Sequence, residues 1–366
     1  MSSGKVKRVL VYRMGSLGDH LVALPSYRLV ARAFPGAERR LLTTVPVAKV
    51  AATAEAVLRG TGLIDGYMTY VAGERSPWAL LKLVVQIRLW RPDVLVYMSG
   101  PLKQLRRDQK FFRLCGLKRQ IGVPLGEDCQ LRVVGLRDGV AWYEQEGERL
   151  ARSLKELGDA HVEDAANWSP ALNEPERAAG AALLEPLRGG KFFAFSIGTK
   201  VQANEWGVER WRELLGRFAA EVPRYGLVMV GANAEREASE AVGEAWLAGG
   251  GGLVVNLSGV CEPRVSAVVL ERAEMFFGHD SGPGHMAASV GTPVFGIYGA
   301  RNRPGEWAPH GEKVRAVMHW VSCGGCLLDT CVVEGKRCIL SISVDEALGA
   351  LREHWASVGK IEERIR

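Results

Sequence analysis

The residues best suited to chemistry form a glycine-rich turn near the carboxyl end of the chain. Residues 276–288 read FFGHDSGPGHMAA, an apolar run that ends in a polar turn and then opens an Ala-rich helix. Such a turn presents backbone N–H groups at the positive end of a helix dipole, where phosphate or pyrophosphate binds well, and His285 adds a donor one turn further in. The turn predicts a nucleotide or nucleotide-sugar site, although glycines serving backbone geometry alone would explain the same pattern. The residues of this predicted site are Asp280, Ser281, Gly282, Pro283, Gly284 and His285.

A second glycine turn follows the first predicted strand, Val6–Tyr12. Residues 13–25 read RMGSLGDHLVALP and lead into an amphipathic helix. Gly15 and Gly18 let the backbone approach a bulky partner, with Ser16 between them. Asp19 at the helix start has two interpretations, a helix N-cap or a carboxylate at the mouth of a cleft that takes a proton from a substrate hydroxyl.

Composition indicates a globular protein of two domains. The chain has 366 residues, 47% of them hydrophobic and 24% charged, which is typical of a well-cored protein and excludes intrinsic disorder. No segment approaches the ~20 uncharged apolar residues of a membrane span, because the best candidate, Trp78 to Trp90, is interrupted by Lys82, Gln86 and Arg88. The basic amino terminus lacks the apolar region of a signal peptide, so we expect a cytoplasmic protein.

Strand and helix patterns alternate along both halves of the chain, which predicts an α/β protein with two doubly wound, Rossmann-like domains. We expect the two domains to comprise residues 1–165 and residues 166–343. Residues 344–366 are predicted to form a helix that packs back on the first domain, and Glu163–Pro175 to form the linker. The predicted strands are Val6–Tyr12, Arg39–Thr44, Asp65–Val71, Asp93–Met98, Gln120–Val123, Lys191–Ile197, Gly226–Val230, Leu253–Asn256, Glu274–Phe277 and Pro293–Tyr298. The predicted helices are His20–Phe34, Val47–Leu58, Pro77–Trp90, Lys103–Leu114, Glu174–Leu187, Val208–Ala220, Ala234–Leu247, Arg264–Arg272 and Gly284–Val290.

Two such domains place a ligand cleft between them, at the carboxyl ends of both sheets. The dinucleotide fingerprint Gly-x-Gly-x-x-Gly is absent after the first strand, and so is the P-loop pattern. Dehydrogenases and P-loop enzymes are therefore disfavoured.

Basic residues concentrate in residues 101–120, where an amphipathic helix is predicted. A solvated helix face, an anionic acceptor and the anionic surface of the inner membrane all fit this pattern. Nucleic acid is disfavoured, because no aromatic stacking platform accompanies the charges. The cations are Lys103, Arg106, Arg107, Lys110, Arg113, Lys118 and Arg119, with Asp108 opposing them.

Both turns together resemble the bacterial heptosyltransferases, glycosyltransferase family 9. The resemblance rests on residues 13–19 with Leu24-Pro25, on residues 280–287 with Gly291-Thr292-Pro293, and on Trp307-Ala308-Pro309. It spans nearly the whole chain. It implies a GT-B fold with an interdomain cleft and an inverting sugar transfer, usually of heptose from ADP-heptose, without a catalytic metal or other required cofactor.

The resemblance implies that residues 1–165 bind the acceptor and residues 166–343 bind the donor. Carried onto this sequence, it makes Asp19 the general base, with Gly15, Ser16 and Gly18 in the acceptor-side loop. Ser281, Gly282 and the amides up to His285 would hold the diphosphate. The chain departs from the commoner pattern at Asn204, where many relatives have a lysine; Lys200 is the candidate replacement, with a plain surface lysine as the alternative. The remaining predicted donor residues are Ser196, Gly198, Thr199 and Glu235, the last for the ribose hydroxyls.

Four cysteines lie within sixteen residues, at Cys323, Cys326, Cys331 and Cys338. In a cytoplasmic protein this spacing suits a structural Zn or Fe site better than disulfides, although free thiols remain open. One branch of the resembled family, which glycosylates autotransporter proteins, is associated with a four-cysteine iron site. Cys115, Cys129 and Cys261 are predicted to be isolated buried thiols.

The function predicted from the sequence is transfer of a sugar, heptose in the first instance, onto a lipopolysaccharide-core or other cell-envelope glycan. Three alternatives remain: another donor or a protein or small-molecule acceptor, a non-catalytic nucleotide-sugar-binding protein, and a nucleotide-sugar epimerase of related shape.

Overall fold

Each half of the chain begins its sheet with a strand that is apolar on both faces. Val9, Leu10 and Val11 in the first half and Phe193 and Phe195 in the second are fully buried. Continuous apolar runs of this kind suit parallel sheets that are covered by helices on both sides. The computed structural model describes residues 6–45, 52–74, 76–98, 102–123 and 130–365.

The chain divides into two units, residues 1–133 with 144–171, and residues 134–143 with 172–366. Within its described residues, unit 1 contains a parallel five-stranded sheet of order β3-β2-β1-β4-β5. The strands are β1 (Arg8–Tyr12), β2 (Glu38–Val45), β3 (Gly66–Val71), β4 (Val94–Tyr97) and β5 (Gln120–Ile121). The helices are α1 (Leu17–Leu21), α2 (Leu24–Ala33), α3 (Ala54–Leu58), α4 (Pro77–Trp90), α5 (Leu102–Leu114) and α6 (Glu146–Ser153).

In its described residues, unit 2 contains a parallel six-stranded sheet of order β10-β9-β8-β11-β12-β13. A separate hairpin of two strands, β6 (Val133–Arg137) and β7 (Val140–Tyr143), also belongs almost entirely to this unit. The sheet strands are β8 (Phe192–Ser196), β9 (Gly226–Met229), β10 (Val254–Asn256), β11 (Phe276–His279), β12 (Val294–Ile297) and β13 (Val314–Val317). The helices are α7 (Glu174–Leu183), α8 (Val208–Ala219), α9 (Arg236–Ala248), α10 (Pro263–Glu271), α11 (Gly282–Ser289), α12 (Arg337–Leu340) and α13 (Val344–Ile365).

Both sheets have the Rossmann strand order, in which the chain reverses direction across the sheet at the first strand. The predicted α/β class with two doubly wound sheets is confirmed. The predicted strands are found within about two residues of their expected bounds, and α4 has the bounds that were predicted for it.

Four details differ from the sequence expectation. The helix expected over His20–Phe34 is two helices, because Pro25 occupies the second position of a new helix, α2. Strand β13 and the hairpin were not predicted. Of the helix expected over Val47–Leu58, α3 is present, while residues 46–51 lie outside the described residues.

The expected linker Glu163–Pro175 is largely part of unit 1. Residues 165–168 form a 3₁₀ helix, and Trp168 is buried with its indole N–H donating to the carbonyl of Val162 at 2.8 Å. The Arg28 guanidinium donates to the carbonyl of Ser169 at 2.7 Å. A composition rich in Asn, Ser and Pro therefore reflects turns anchored by side chains at this point, since these residues favour local hydrogen-bonded turns.

The carboxyl-terminal helix α13 contributes to the core of unit 2. Val344, Leu348 and Leu351 belong to the same buried cluster as Trp206 and Trp211. Further along, the Trp355 ring packs edge-on against Phe193, with 5.1 Å between ring centroids. A return of this helix to the amino-terminal domain stays a prediction, as does the division of the domains into acceptor-binding and donor-binding.

Candidate active site

The loop after β1 leaves the sheet of unit 1 where the strand order reverses, which is where ligands bind in open α/β sheets. Ser16 is the N-cap of α1, and its backbone N–H donates to Asp19 Oδ2 at 2.8 Å. Asp19 is thus at position N3 of α1, where its carboxylate belongs to a capping box with Ser16. It is not the N-cap, so the structural interpretation considered above was wrong in this detail. The half-buried carboxylate keeps a fixed orientation at the end of the sheet.

Gly15 makes this orientation sterically feasible. Its φ is +127°, and a Cβ at this position would lie 2.2 Å from Asp19 Cγ. Its backbone N–H also donates to the Thr44 hydroxyl at 3.2 Å, which ties the loop to β2. The predicted loop residues Gly15, Ser16 and Asp19 therefore form one local arrangement in which the glycine leaves room for the carboxylate.

Arg13 anchors the same loop from beneath through a buried ion pair. Its guanidinium donates to Glu146 Oε1 at 2.9 Å, to the Met98 carbonyl at 3.0 Å and to the Asp19 carbonyl at 3.3 Å. Burial alone would raise the pKa of Glu146, but Arg149 and Arg13 hold that pKa below its usual range. The roles of Glu146 and Arg149 were not predicted, and their signal in the sequence is only a charged pair on an otherwise apolar helix face.

In unit 2, three predicted donor residues come together at the ends of β8 and β9. The Glu235 carboxylate accepts a hydrogen bond from the Ala232 N–H at 2.9 Å and lies against two glycines. A Cβ on Gly198 would be 2.0 Å from Glu235 Oε1, and a Cβ on Gly231 would be 2.2 Å from Glu235 Oε2. The Cβ on Gly231 would also be 3.7 Å from Ser196 Oγ. This buried hydroxyl makes no hydrogen bond to the described residues.

Burial raises the pKa of Glu235. The hydrogen bond from the Ala232 N–H lowers that pKa, but the effect of burial is larger. A half-buried carboxylate above two glycines offers acceptor oxygens where the backbone leaves space. This arrangement suits a ligand with vicinal hydroxyls.

His279, the last residue of β11, connects three segments around this site. Its Nε2 accepts from the backbone N–H of Trp206 at 3.1 Å and from the Trp211 indole N–H at 2.9 Å. Its Nδ1 therefore carries the proton and donates to the Ile197 carbonyl at 3.0 Å. Burial lowers the pKa of His279 to about 4, so the ring is neutral at physiological pH. Sequence analysis assigned His279 no role, since its partners are distant in the chain.

The glycine-rich turn follows directly and opens α11 at Gly282. Ser281 is the N-cap, and its buried Oγ makes no hydrogen bond to any described residue. Pro283 has no N–H, and the amides of Gly284 and His285 donate to the Ser281 carbonyl at 3.2 and 3.5 Å. The donors that this turn can direct at an anion are therefore the Ser281 hydroxyl and the backbone N–H of Gly282.

Two further predicted residues of this turn are held by neighbours. Asp280 accepts a hydrogen bond from the Asn302 side-chain amide at 3.1 Å. The buried His285 ring lies edge-on to Trp307, with 6.3 Å between centroids. Both partners belong to the loop after β12, so this loop fixes the turn from one side.

The segment after β8 carries two candidate phosphate-binding side chains, Lys200 and Asn204, which differ in their exposure to solvent. Thr199 forms a local turn in which its Oγ1 accepts from the Val201 N–H at 3.3 Å. The Lys200 side chain is exposed, whereas Asn204 is buried and its Oδ1 accepts no hydrogen bond from the part of the chain that the structure describes. A Cβ on Gly299 would lie 2.9 Å from that Oδ1. The buried polar group in this segment is thus the asparagine that replaces the lysine of many relatives.

Comparison with known proteins identifies the class of protein to which this site belongs. The pattern of glycosyltransferase family 9 (heptosyltransferase) matches residues 150–336, just over half of the chain. The chain belongs to glycosyltransferase family 9. Lipopolysaccharide heptosyltransferase 1 of Pseudomonas aeruginosa is 27% identical over 341 residues, which cover 89% of this chain and 88% of that protein.

Solved structures agree with this family assignment. The glycosyltransferase family 9 structure from Veillonella parvula matches with a TM-score of 0.71 and 16% identity, covering 97% of this chain and 99% of the other. The ADP-heptose lipopolysaccharide heptosyltransferase II of E. coli matches with a TM-score of 0.62 and 16% identity, covering 96% and 99%. At these identities the likeness shows the fold, which is GT-B. The chain is thus a GT-B glycosyltransferase of the heptosyltransferase family.

The four-cysteine segment of this family 9 chain surrounds a small cavity of about 20 Å³ that Cys323, Cys326, Cys331 and Cys338 all line. No three of these sulfurs lie within 4.8 Å of one another in the described structure. Backbone N–H groups of residues 333–336 lower the pKa of Cys331, whereas desolvation and the Glu334 carboxylate raise that of Cys323. An iron-containing dodecameric heptosyltransferase of E. coli matches with a TM-score of 0.51 and 11% identity, covering 98% of this chain and 78% of its own.

The other thiols are separate from this cluster. Cys115 is buried, and burial raises its pKa to about 11. Cys261 is only half-buried, with its Sγ 3.2 Å from the Ser266 hydroxyl, because it lies in the short segment between the turn at residues 258–260 and α10; the expectation that it is buried was wrong. Cys129 lies outside the described residues.

Proposed function

We propose that this protein is an inverting glycosyltransferase that moves heptose from ADP-heptose onto a lipopolysaccharide-core or other cell-envelope glycan, with Asp19 as the general base. The observation that carries the proposal is a pair of buried hydroxyls, of Ser196 and Ser281, that make no hydrogen bond to the described residues. Ser196 ends β8 and Ser281 follows β11, and the two strands are neighbours because Gly278 of β11 pairs with Ser196. Buried polar groups are nearly always hydrogen-bonded, so this pair indicates a polar ligand at the ends of β8 and β11.

The proposed reaction is a direct displacement at the anomeric carbon. The acceptor hydroxyl oxygen forms a bond to the anomeric carbon of the donor sugar, while the bond from that carbon to the diphosphate oxygen breaks. Asp19 takes the hydroxyl proton, and the diphosphate leaves with the electron pair. A positioned base contributes about 10²–10⁴-fold to such a step, and donors aimed at the leaving diphosphate stabilise its developing charge.

The donor side of the proposal assigns a role to each predicted residue. The Ser281 hydroxyl and the Gly282 amide bind the diphosphate, with His285 beside them. Glu235 accepts from the ribose hydroxyls above Gly198. Asn204 donates from its amide to the phosphate region as a neutral replacement for lysine, and Lys200 supplies charge from the surface.

A structural metal at the four cysteines belongs to the same proposal. The donor set fits, because four thiolates suit tetrahedral Zn or Fe, and the N–H groups that favour the Cys331 thiolate are typical support for a metal ligand. All four cysteines line one cavity. Bound there, the ion would cross-link residues 323–338 and would take no part in the transfer step.

Calorimetric titration with ADP, ADP-heptose, UDP-sugars and GDP-sugars tests the donor assignment. We expect the adenine compounds to bind most tightly, and Ser281→Ala and His285→Ala to weaken that binding. Ser341→Ala and His161→Ala, which change the same residue types outside the turn, serve as matched controls and should leave that binding unchanged. Preference for UDP or GDP would replace heptose by another donor sugar, and absence of nucleotide binding would contradict the transferase.

A further inference from the structure

Helix α4 exposes an apolar stripe along its whole length. Trp78 is 79% exposed and Leu89 77%, and Leu81 and Val85 lie between them at half exposure. Residues at three- and four-residue spacing share one helix face. The opposite face already supplies Leu83, Ile87 and Trp90 to the core of unit 1. The exposed stripe is therefore a second apolar surface that the fold itself does not use, and such surfaces mark interaction sites.

Cations border this stripe on both sides. At 3.6 residues per turn, Arg88 lies beside Leu81 on one edge, and Lys82 lies beside Leu89 on the other. Residues 77–90 contain no acidic side chain. Long basic side chains beside an apolar stripe can keep their charges in the polar layer while the stripe enters an apolar one.

Helix α5 adds more positive charge next to α4. Both helices pack on one cluster of unit 1, and Arg88 Nε donates to the Leu114 carbonyl at 3.0 Å. Leu114 itself is 65% exposed. The acid of α5, Asp108, is buried, accepts from the Tyr97 hydroxyl at 2.9 Å and pairs with the Arg107 guanidinium at 3.2 Å, so it offsets the charge of Arg107. The exposed cations of α5 are Arg106, Arg107, Lys110 and Arg113.

We propose that α4 and α5 form a docking surface for an anionic lipid bilayer. An apolar stripe that contains Trp and Leu, flanked by Lys and Arg, is the pattern of helices that lie in a membrane interface, and clustered cations attract anionic headgroups. The surface lies on the bilayer, since the structure describes no helix of the length and hydropathy required to cross one.

Charge argues against a second copy of this chain as the occupant. A two-fold interface places the same patch on both subunits. The cations of α4 and α5 would then face each other, and no exposed acid is present among the described side chains of either helix. Like charges brought together oppose association, whereas an anionic bilayer neutralises them.

Vesicle flotation tests this proposal independently of the transfer reaction. The wild-type protein should float with vesicles of phosphatidylcholine and phosphatidylglycerol, should not float with phosphatidylcholine alone, and should detach as salt rises. We expect Trp78→Ser/Leu89→Ser to lower binding about tenfold or more, because two apolar side chains no longer enter the bilayer. Lys110→Gln/Arg113→Gln should lower it roughly fivefold for each cation removed.

Matched controls use exposed residues elsewhere. Leu247→Ser, on a side chain 52% exposed in α9, and Arg59→Gln, at the end of α3, should bind vesicles like the wild type. Thermal unfolding verifies that all variants fold. The proposal is overturned if the wild type does not bind anionic vesicles at low salt, or if all variants bind equally. It is also overturned if sedimentation shows a dimer that Trp78→Ser/Leu89→Ser dissociates without any vesicle binding.

Discussion

The Asp19 carboxylate lies so close to the backbone of Gly15 that a Cβ there would be 2.2 Å from Asp19 Cγ. Any side chain at residue 15 would therefore overlap with the carboxylate of the candidate base. The proposed catalytic residue is positioned by the absence of a side chain four residues earlier, together with the Ser16 N–H that binds its Oδ2.

Gly15→Ala should therefore displace the carboxylate and lower the transfer rate by about 10²-fold, because a base moved by an ångström no longer reaches the acceptor proton. Donor binding should be unchanged. Gly62→Ala is the matched control, since Gly62 also has a positive φ, +68°, but nothing lies within 4 Å of its added Cβ. Steady-state kinetics and calorimetry on both variants measure the effect, and equal rates in the two variants would contradict it.

Gly198→Ala should destabilise unit 2 by about 1–3 kcal/mol, as overpacking does, because the new Cβ would meet Glu235 Oε1 at 2.0 Å. ADP binding should weaken as well. The double variant Gly198→Ala/Glu235→Ala should recover most of the lost stability, which gives a coupling energy in a double-mutant cycle.

Urea unfolding of the four proteins in that cycle provides the measurement. Gly349→Ala, where the added Cβ meets nothing within 4 Å, should not destabilise the protein. Simple additivity of the two changes would show that Glu235 does not occupy the space above Gly198.

Stability should fall on acidification through His279. Burial lowers the pKa of His279 to about 4 in the folded state, whereas the unfolded chain has the ordinary value of about 6.5. The unfolded state thus binds the proton first, so the contribution is complete above about pH 6.5 and is lost as pH falls towards 4. The expected loss is on the order of 3 kcal/mol.

Urea unfolding between pH 7.5 and 4.5 compares the wild type with His279→Gln and with the exposed control His161→Gln. The wild type and His161→Gln should share a steep decline, and His279→Gln should start less stable and decline less. Identical pH slopes in all three proteins would contradict the assignment of this buried neutral ring.

The cysteine cluster should retain about one Zn or Fe per chain after purification, because its four thiolates suit a tetrahedral ion. Cys331→Ser should abolish metal content and lower the unfolding temperature while leaving ADP binding intact. Cys261→Ser, outside the cluster, should retain the metal. Elemental analysis decides the matter, and a metal-free wild type with four freely titrating thiols would favour the free-thiol alternative.

The sheets could be predicted because each central strand is a continuous apolar run that ends in a glycine turn. The hairpin β6–β7 could not, since Val133, Val134 and Leu136 are exposed and lack the alternation that marks a half-buried strand. The burial of Trp168 was not predicted either, because the residues around it have the composition of turns. In both cases the structure depends on tertiary contacts that the local sequence pattern does not show.

Within the candidate site, the residues that lie in one short sequence motif could be predicted. The residues whose partners are distant in the sequence could not. Ser281 and Asp19 lie in glycine turns that are visible in the sequence. His279 binds Trp206 and Trp211, 73 and 68 residues away, and Glu146 lies 133 residues from Arg13. Arg13 and His279 lie at the carboxyl ends of β1 and β11, and their partners on helices and loops reach them only in the folded protein.

Comparison of Asp19→Asn with the wild type most directly tests the central claim that this chain transfers a sugar with Asp19 as base. Asparagine can still accept the Ser16 N–H, so the loop should stay folded while the proton acceptor is lost. With ADP-heptose and an inner-core lipopolysaccharide acceptor, we predict that ADP release falls by about 10²–10⁴-fold while calorimetry shows unchanged ADP binding. Undiminished ADP release by the variant would contradict the account.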